Sequence, residues 1–443
     1  MGMVKNDYIE CNERGYGHSD KVLCHDCIGN SALKSYIKAN GHMTTCHYCG
    51  KRRLGMTMEE FMPAVMSGIY YLYDRAVNQL PCDSGEYVGK TYSTEEIIFE
   101  NLYDEIDADD ECILADIVSL IDDEVWCDAE PFADTAEDTA FYNWQAFCKM
   151  VKEKVRFVFY QAGMNLDAQN NPAAILDTIA NYTEMVKLTK RVDRNIKLYR
   201  CRTHETNNWF GKVSDFAPPP VEYAASGRMN AEGINVLYLT LDPETALQET
   251  SVCGRGYATI VSLRVKDSVS VLDLTKIKSM KLPSVFDVEN RNKRSPIMFL
   301  RKFAESISQQ STIKGIDYVP TQIVTEYFRY VQTANKGGYA GILYDSVQNP
   351  GGKCLVLFLT REEFLKEKYG LHIIPNATIY YQKIFELAPK EVTRNAKAKL
   401  LIDSLSNKTL EEIKGELQHS NIDTEHAVSR TLSTIGSTKV NDI

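Results

Sequence analysis

Two cysteine pairs, Cys24-x2-Cys27 and Cys46-x2-Cys49 with eighteen residues between them, constrain the amino-terminal end of this 443-residue chain more than any other feature. The spacing is that of a four-thiolate zinc site, in which two short knuckles each supply two sulfurs and the tetrahedral ion closes a zinc ribbon-like module too small to fold on its own apolar core. The metal is then structural. His25 and His47 lie inside the knuckles and could each replace a thiolate, although four sulfurs already fill the shell. Such modules also bind nucleic acids and proteins. The trio Lys51, Arg52 and Arg53 after the second knuckle permits that, or is simply a solvated turn.

From about 57 to 190 the spacing predicts helices. Phe61, Val65, Ile69 and Leu72 recur at helical steps, as do Ile113, Ile117 and Leu120, and the segments near 138–160 and 172–190 behave alike. Residues 91–140 hold eighteen Asp or Glu and no Lys or Arg, a face that repels phosphates and so excludes a nucleic-acid surface there. It is either a solvated acidic face or a surface for a basic protein partner. The net charge of −10 fits a soluble chain without general affinity for DNA or membrane, and no apolar run approaches the ~20 residues of a membrane span. Twelve cysteines without a signal peptide point to a reducing, cytoplasmic location; those outside the two pairs are expected to be packing residues.

The run SGRMNAEGINVLYLTLDPETALQE, residues 226–249, carries the densest candidate chemistry. Alternation turns Leu237, Leu239 and Leu241 one way and Val236, Tyr238 and Thr240 the other. Asp242 reads as an N-cap and Pro243 as the first residue of a helix whose inner face is Ala246, Leu247 and Thr250, with Glu249 near its end. Arg228 follows Gly227 upstream, in a segment introduced by Pro218, Pro219 and Pro220. An arginine, a tyrosine and a glutamate sharing one cleft would suit a dinucleotide whose glycosidic bond is to be broken. A guanidinium fork holds pyrophosphate, a ring stacks on nicotinamide, and a carboxylate steadies the sugar cation that forms. The ordinary alternative is a surface ion pair beside a half-buried ring.

Several ordered blocks resemble the RES domain family, named for its Arg, Glu and Ser. LYRCR at 198–202 is similar to its first strand, APPP followed by AASGRMN and LYLTLDPETALQE to its signature block, and DYVPTQIVTEYFR at 317–329 and GILYDSVQNPGGKCLVLF at 341–358 to its later helix and closing strands. The resemblance covers about 170 residues, from 194 to 360. It implies a fold similar to that of ADP-ribosyltransferases and a toxin-like consumption of NAD by phosphorolysis or hydrolysis. It also implies site residues: Arg200, Arg228, Tyr238, Glu249 and Ser346. Arg202, two positions from Arg200 and on the same side of a strand, competes with it; Arg200 is favoured because it directly follows Tyr199. Glu249, Tyr238 and Arg228 are the expected catalytic groups, and Arg200, Arg202, Arg228, Tyr238 and Ser346 the expected NAD-binding ones. Ser346 is expected to bind phosphate or ribose rather than act as a nucleophile, since no histidine is near it in sequence. It ends a strand face formed by Ala340, Ile342 and Tyr344, while Ile323, Val324, Tyr327, Phe328 and Val331 form a stripe expected in the core.

The amino-terminal helices resemble the HEPN-related domains that accompany RES domains. HEPN ribonucleases carry an arginine and a histidine separated by four to six residues; Arg14 and His18, and Arg200 and His204, have three between them, so this part is expected to be noncatalytic. The expected organisation is a zinc-binding module at 1–56, a helical domain at 57–190, an α+β RES domain at 191–390, and a helical segment with a mobile polar tail at 391–443, after a strand around Ala377 to Ile384. The resemblance also implies an inhibitory antitoxin or immunity protein as partner. Two other functions stay open: ADP-ribosyl transfer to a macromolecule, and a zinc-dependent binding adaptor whose RES domain is inactive.

Overall fold

The computed structural model describes residues 11, 14–121, 124–158, 174–204, 212–250, 257–307, 315–332, 338–370 and 372–373. The expected strand around Ala377 to Ile384 and the segment 391–443 lie outside them.

The amino-terminal part begins with a three-stranded antiparallel sheet, ordered β1-β3-β2, of Val22–Cys24 (β1), His42–Thr45 (β2) and Arg52–Thr57 (β3). Helix α1 (Ser31–Asn40) starts where the Asn30 side chain accepts from the Ala32 and Leu33 amides. Helix α2 (Met58–Leu72) opens with a capping box in which Thr57 and Glu60 satisfy each other's backbone amides. Its stripe of Phe61, Val65 and Ile69 packs with Ile113, Ile117 and Leu120 of α3 (Glu111–Leu120) and with Trp126, closing one core around Leu23 and Ile28. Two further small sheets, Tyr73–Arg75 (β4) with Trp126–Asp128 (β7) and the hairpin Cys82–Asp83 (β5) with Glu86–Tyr87 (β6), interrupt the expected run of helices.

The carboxy-terminal part is an eight-stranded sheet. Its strands are Thr189–Val192 (β8), Leu198–His204 (β9), Leu237–Thr240 (β10), Tyr257–Arg264 (β11), Val269–Asp273 (β12), Gly341–Asp345 (β13), Lys353–Leu357 (β14) and His372–Ile373 (β15). The spatial order is β15-β11-β9-β10-β14-β13-β12-β8, antiparallel throughout except for β12 beside β13. Alternation gives the sheet two greasy faces. Leu237, Leu239, Leu343, Leu355 and Leu357 pack on one side with Phe364. Val236, Ile342, Tyr344, Cys354 and Val356 face the other. Ala340, just ahead of β13, packs with the first set rather than with Ile342 and Tyr344.

The second face is covered by α4 (Ala136–Glu153), α5 (Ala174–Met185), α7 (Arg294–Ile307) and α8 (Val319–Glu326), while the short α6 (Pro243–Thr250) follows β10. Trp144 and Phe147 of α4 and Ile175, Leu176 and Ile179 of α5 share one core with Phe299 and Phe303 of α7. α4 and α5 thus pack with the sheet rather than in the amino-terminal core. In the other direction, Val285 and Phe286 of the carboxy-terminal part sit in the amino-terminal core. The expected stripe beyond Pro320 holds for Val324, Tyr327 and Phe328, but Val331 is 41% exposed and Gln332 is buried in its place. A π-helical turn over Tyr327–Val331 is the reason: its wider step inserts a residue and rotates the buried position by one. No helix among the described residues is long and apolar enough to cross a membrane.

Candidate functional site

The sheet splits at its centre. β9 pairs with β11 over seven positions, whereas it meets β10 only at Tyr199 opposite Thr240. Beyond that point the Tyr238 carbonyl accepts instead from Arg200 Nη1 at 2.6 Å, a side chain supplying what strand pairing leaves out. The split opens a cavity of about 310 Å3 lined by Arg200, Arg202, Tyr238, Glu249, Tyr344 and Cys354 among others.

Arg200 and Arg202 reach the same side of β9, as two-residue spacing requires, and both donate to the Ala217 carbonyl, at 3.4 and 2.7 Å. Arg202 also donates from Nε to the Asp215 carbonyl at 3.1 Å. Neither guanidinium has a carboxylate partner among the described residues, and Arg200 Nε, buried, has no hydrogen-bond partner. Burial, then the neighbouring Arg202 charge, pushes Arg200 down to about 9, still protonated at neutral pH. Burial and the charge of Arg361 lower Arg202 as well. A buried cation without an anion is costly, on the order of several kcal/mol, and a negative group entering the cavity would offset that cost.

Glu249 sits at the end of α6, four residues after Thr245 and on the same helical face. Asp242 caps this helix, accepting from the Thr245 amide and hydroxyl, each at 2.7 Å. Glu249 itself is exposed to the cavity. Its Oε1 accepts from the buried Ser346 hydroxyl at 2.6 Å and from the Cys354 thiol at 3.4 Å. Burial, then the Glu249 charge, raises the Cys354 thiol above its ordinary range, so it remains a neutral donor. Tyr238 presents its ring to the cavity while its hydroxyl is spent elsewhere, donating to Asn230 Oδ1 and accepting from the Met229 amide, both at 2.9 Å.

Arg228 does not line this cavity. The tight turn closed by the Gly227 amide on the Asn230 carbonyl carries its side chain the other way, onto the Ile307 carbonyl at the end of α7 and 5.6 Å above the Tyr318 ring. There it lines a separate cleft of about 510 Å3 beside Trp144, Lys302 and Asp317. The single cleft expected for Arg228, Tyr238 and Glu249 is thus two separate hollows, with Tyr238 and Glu249 in one and Arg228 in the other. The charge of Arg228 still reaches the site. Burial raises the Tyr238 and Tyr344 phenols, and Arg228 acts in the opposite direction on both. Cys354, expected to be a packing residue, and Tyr344, expected on the strand face that ends at Ser346, are wall groups of the cavity; the pairing of β14 with β10 and β13 places them there.

At the other end of the chain, Cys24, Cys27, Cys46 and Cys49 bring their sulfurs together within 4.8 Å of one another. The closest contacts are 3.6, 3.6 and 3.8 Å. A tetrahedron with metal–sulfur bonds of about 2.3 Å has an edge of roughly 3.8 Å, so the cluster is shaped to hold such an ion. His47 Nδ1 accepts from the Val22 amide at 2.7 Å and so is engaged outside the cluster, whereas His25 Nδ1 lies 2.9 Å from Asp26 without a hydrogen bond to it. Arg14 forms an ion pair with Glu59 at 2.8 Å, and His18 Nδ1 lies 3.0 Å from the same carboxylate.

With these geometries in place, comparison with known families is decisive. Residues 197–373 match the RES domain, and residues 39–165 match HEPN/RES N-terminal domain 1. The chain carries a RES domain behind a HEPN/RES N-terminal domain. RES domains are linked to NAD-related functions of a toxin or defence kind. The RES match contains the whole split-sheet cavity, and the HEPN/RES match contains the second cysteine pair but begins after the first. No curated protein and no solved structure matches the chain.

Proposed function

We propose that the RES domain cleaves the bond between nicotinamide and ribose in NAD, as a phosphorylase or glycohydrolase with a toxin or defence role. The observation that carries this reading is a pair of guanidiniums, Arg200 buried and Arg202 half-buried, without acid partners among the described residues and lining one cavity with an accessible carboxylate. Arg200 and Arg202 hold the pyrophosphate. Tyr238 offers its ring face to the nicotinamide or its ribose. Glu249 stands beside the anomeric carbon. Ser346, expected at a phosphate or ribose group, instead turns its hydroxyl toward that carboxylate. Arg228, expected at the pyrophosphate, adds positive potential from its separate cleft.

The chemistry balances without a general acid. The bond from the ribose C1′ to the pyridinium nitrogen breaks with its electron pair going to the ring, so nicotinamide leaves neutral. The sugar cation is held against the Glu249 carboxylate. Phosphate or water then forms the new C1′–O bond, and water's proton passes to solvent. Removing a preorganised carboxylate of this kind costs roughly 100- to 1000-fold in rate. The reading carries with it the ADP-ribosyltransferase-like fold that the family resemblance implies, and the four thiolates would hold a structural zinc ion.

Incubation of the purified protein with NAD, with and without phosphate, tests the reading. Nicotinamide release is expected, together with free ADP-ribose for hydrolysis or its phosphate ester for phosphorolysis. ADP-ribose label retained on a macromolecule would instead mean transfer. Absence of any NAD turnover, with partner binding intact, would favour an adaptor.

A further inference from the structure

The turn between β13 and β14 grips α6 at two points. Thr245 and Glu249 are four residues apart, hence stacked on one face of the helix. Asn349 Nδ2 donates to Thr245 Oγ1 at 2.7 Å, and the Asn349 backbone amide donates to Ser346 Oγ at 2.9 Å. The Ser346 hydroxyl passes its proton toward Glu249 at 2.6 Å, while Thr245 passes its own toward Asp242 at 2.7 Å. Every hydroxyl on this path has a donor behind it and an acceptor ahead, so each hydrogen has one direction to point. The turn is closed by the Ser346 amide on the Gly352 carbonyl and the Gly352 amide on the Asn349 carbonyl, each at 2.9 Å. A Cβ on Gly352 would lie 2.2 Å from Thr245 Oγ1, so only glycine lets the turn approach this closely.

We propose that Asn349 and Thr245 are positioning residues that fix the Glu249 carboxylate: the Asn349 side chain, anchored on Thr245 of the same helix, holds the turn in the place from which the Asn349 backbone amide orients the Ser346 hydroxyl toward Glu249. This rests on the reading of Glu249 as the group beside the anomeric carbon. Neither residue touches the cavity, and each acts through Ser346 or the helix. Ser346 is on this account engaged twice within the protein, which assigns its hydroxyl to Glu249 and not to a phosphate. Displacements near 1 Å in a site of this kind cost about 100-fold in rate.

The experiment uses the full chain carrying Asn349→Ala, Thr245→Val or Thr245→Ser. Nicotinamide release is measured over a range of NAD, carbodiimide labelling of Glu249 is followed by mass spectrometry, and folding is checked by thermal unfolding. Asn349→Ala and Thr245→Val are expected to lower kcat about 10- to 100-fold with KM within about threefold, and to raise Glu249 labelling. Thr245→Ser, which keeps the hydroxyl, should behave as the parent. If Thr245→Val does not fold, Asn349→Ala, altered at a half-exposed position, carries the test alone. Parental kcat and labelling in Asn349→Ala, or a loss of kcat with no change in Glu249 labelling, overturns the proposal. A parent protein that releases no nicotinamide defeats the NAD reading instead, and the labelling then decides the clamp.

Discussion

At the residue scale the site is an unbalanced charge. Arg200 is buried with its Nε unmatched and its Nη atoms on carbonyls, an arrangement that a fork of five donors tolerates and a lysine does not. Arg200→Lys is therefore expected to weaken NAD binding about tenfold or more, read as KM or by calorimetric titration. Tyr238 serves a different purpose at its hydroxyl. Tyr238→Phe leaves the Met229 amide and Asn230 Oδ1 without that partner, and should lower unfolding stability by about 1–2 kcal/mol in urea titration while the ring face remains. Strand alternation made it legible that Arg200 and Arg202 share a side, since parity along a strand is a local property. The contact of Ser346 with Glu249, 97 residues away in sequence, was not legible, because it depends on how β14 returns beside β10. Arg228 was misplaced for a related reason: a four-residue turn after Gly227 decides which hollow it enters, and spacing does not encode that direction.

At the element scale, close approaches and register shifts decide the architecture. α2 receives Phe286 from the carboxy-terminal part over Gly68, where an added Cβ would stand 2.2 Å from the ring. Arg291 reinforces the same docking, 4.7 Å from the Tyr71 ring and donating to the Ser67 carbonyl at 2.6 Å. Gly68→Ala should thus cost about 1–3 kcal/mol of stability, measured by denaturant titration, with NAD turnover per folded molecule unchanged. The cap of α6 at Asp242 and the stripe of α2 were readable because caps and 3.6-residue periods are written locally. The π-turn over Tyr327–Val331 was not, and it alone moves Val331 to the surface and Gln332 inward. The split between β9 and β10, which makes the cavity, also has no signature in composition.

At the scale of the whole molecule, two cores are stitched through each other: α4 and α5 lie against the sheet, and Val285 and Phe286 lie in the amino-terminal core. The cysteine cluster joins this seam, since Asn30, three residues past Cys27, donates to Ser284 Oγ at 2.9 Å. The zinc reading accordingly predicts that a strong chelator, or Cys46→Ser, lowers the thermal unfolding midpoint, and that added zinc reverses the chelator's effect but not the substitution's. Thiolate spacing made the cluster readable from sequence, whereas the seam was hidden because sequence order places α4 and α5 with the amino-terminal helices. The central claim is that one carboxylate, sharing a cavity with two guanidiniums that have no acid partner among the described residues, breaks NAD. Its most direct test is nicotinamide release by the parent and by Glu249→Gln at equal, saturating NAD, with NAD binding measured on both. The account predicts release by the parent, retained binding by the variant, and a rate lower by roughly 100- to 1000-fold. Equal release by the two proteins would contradict it.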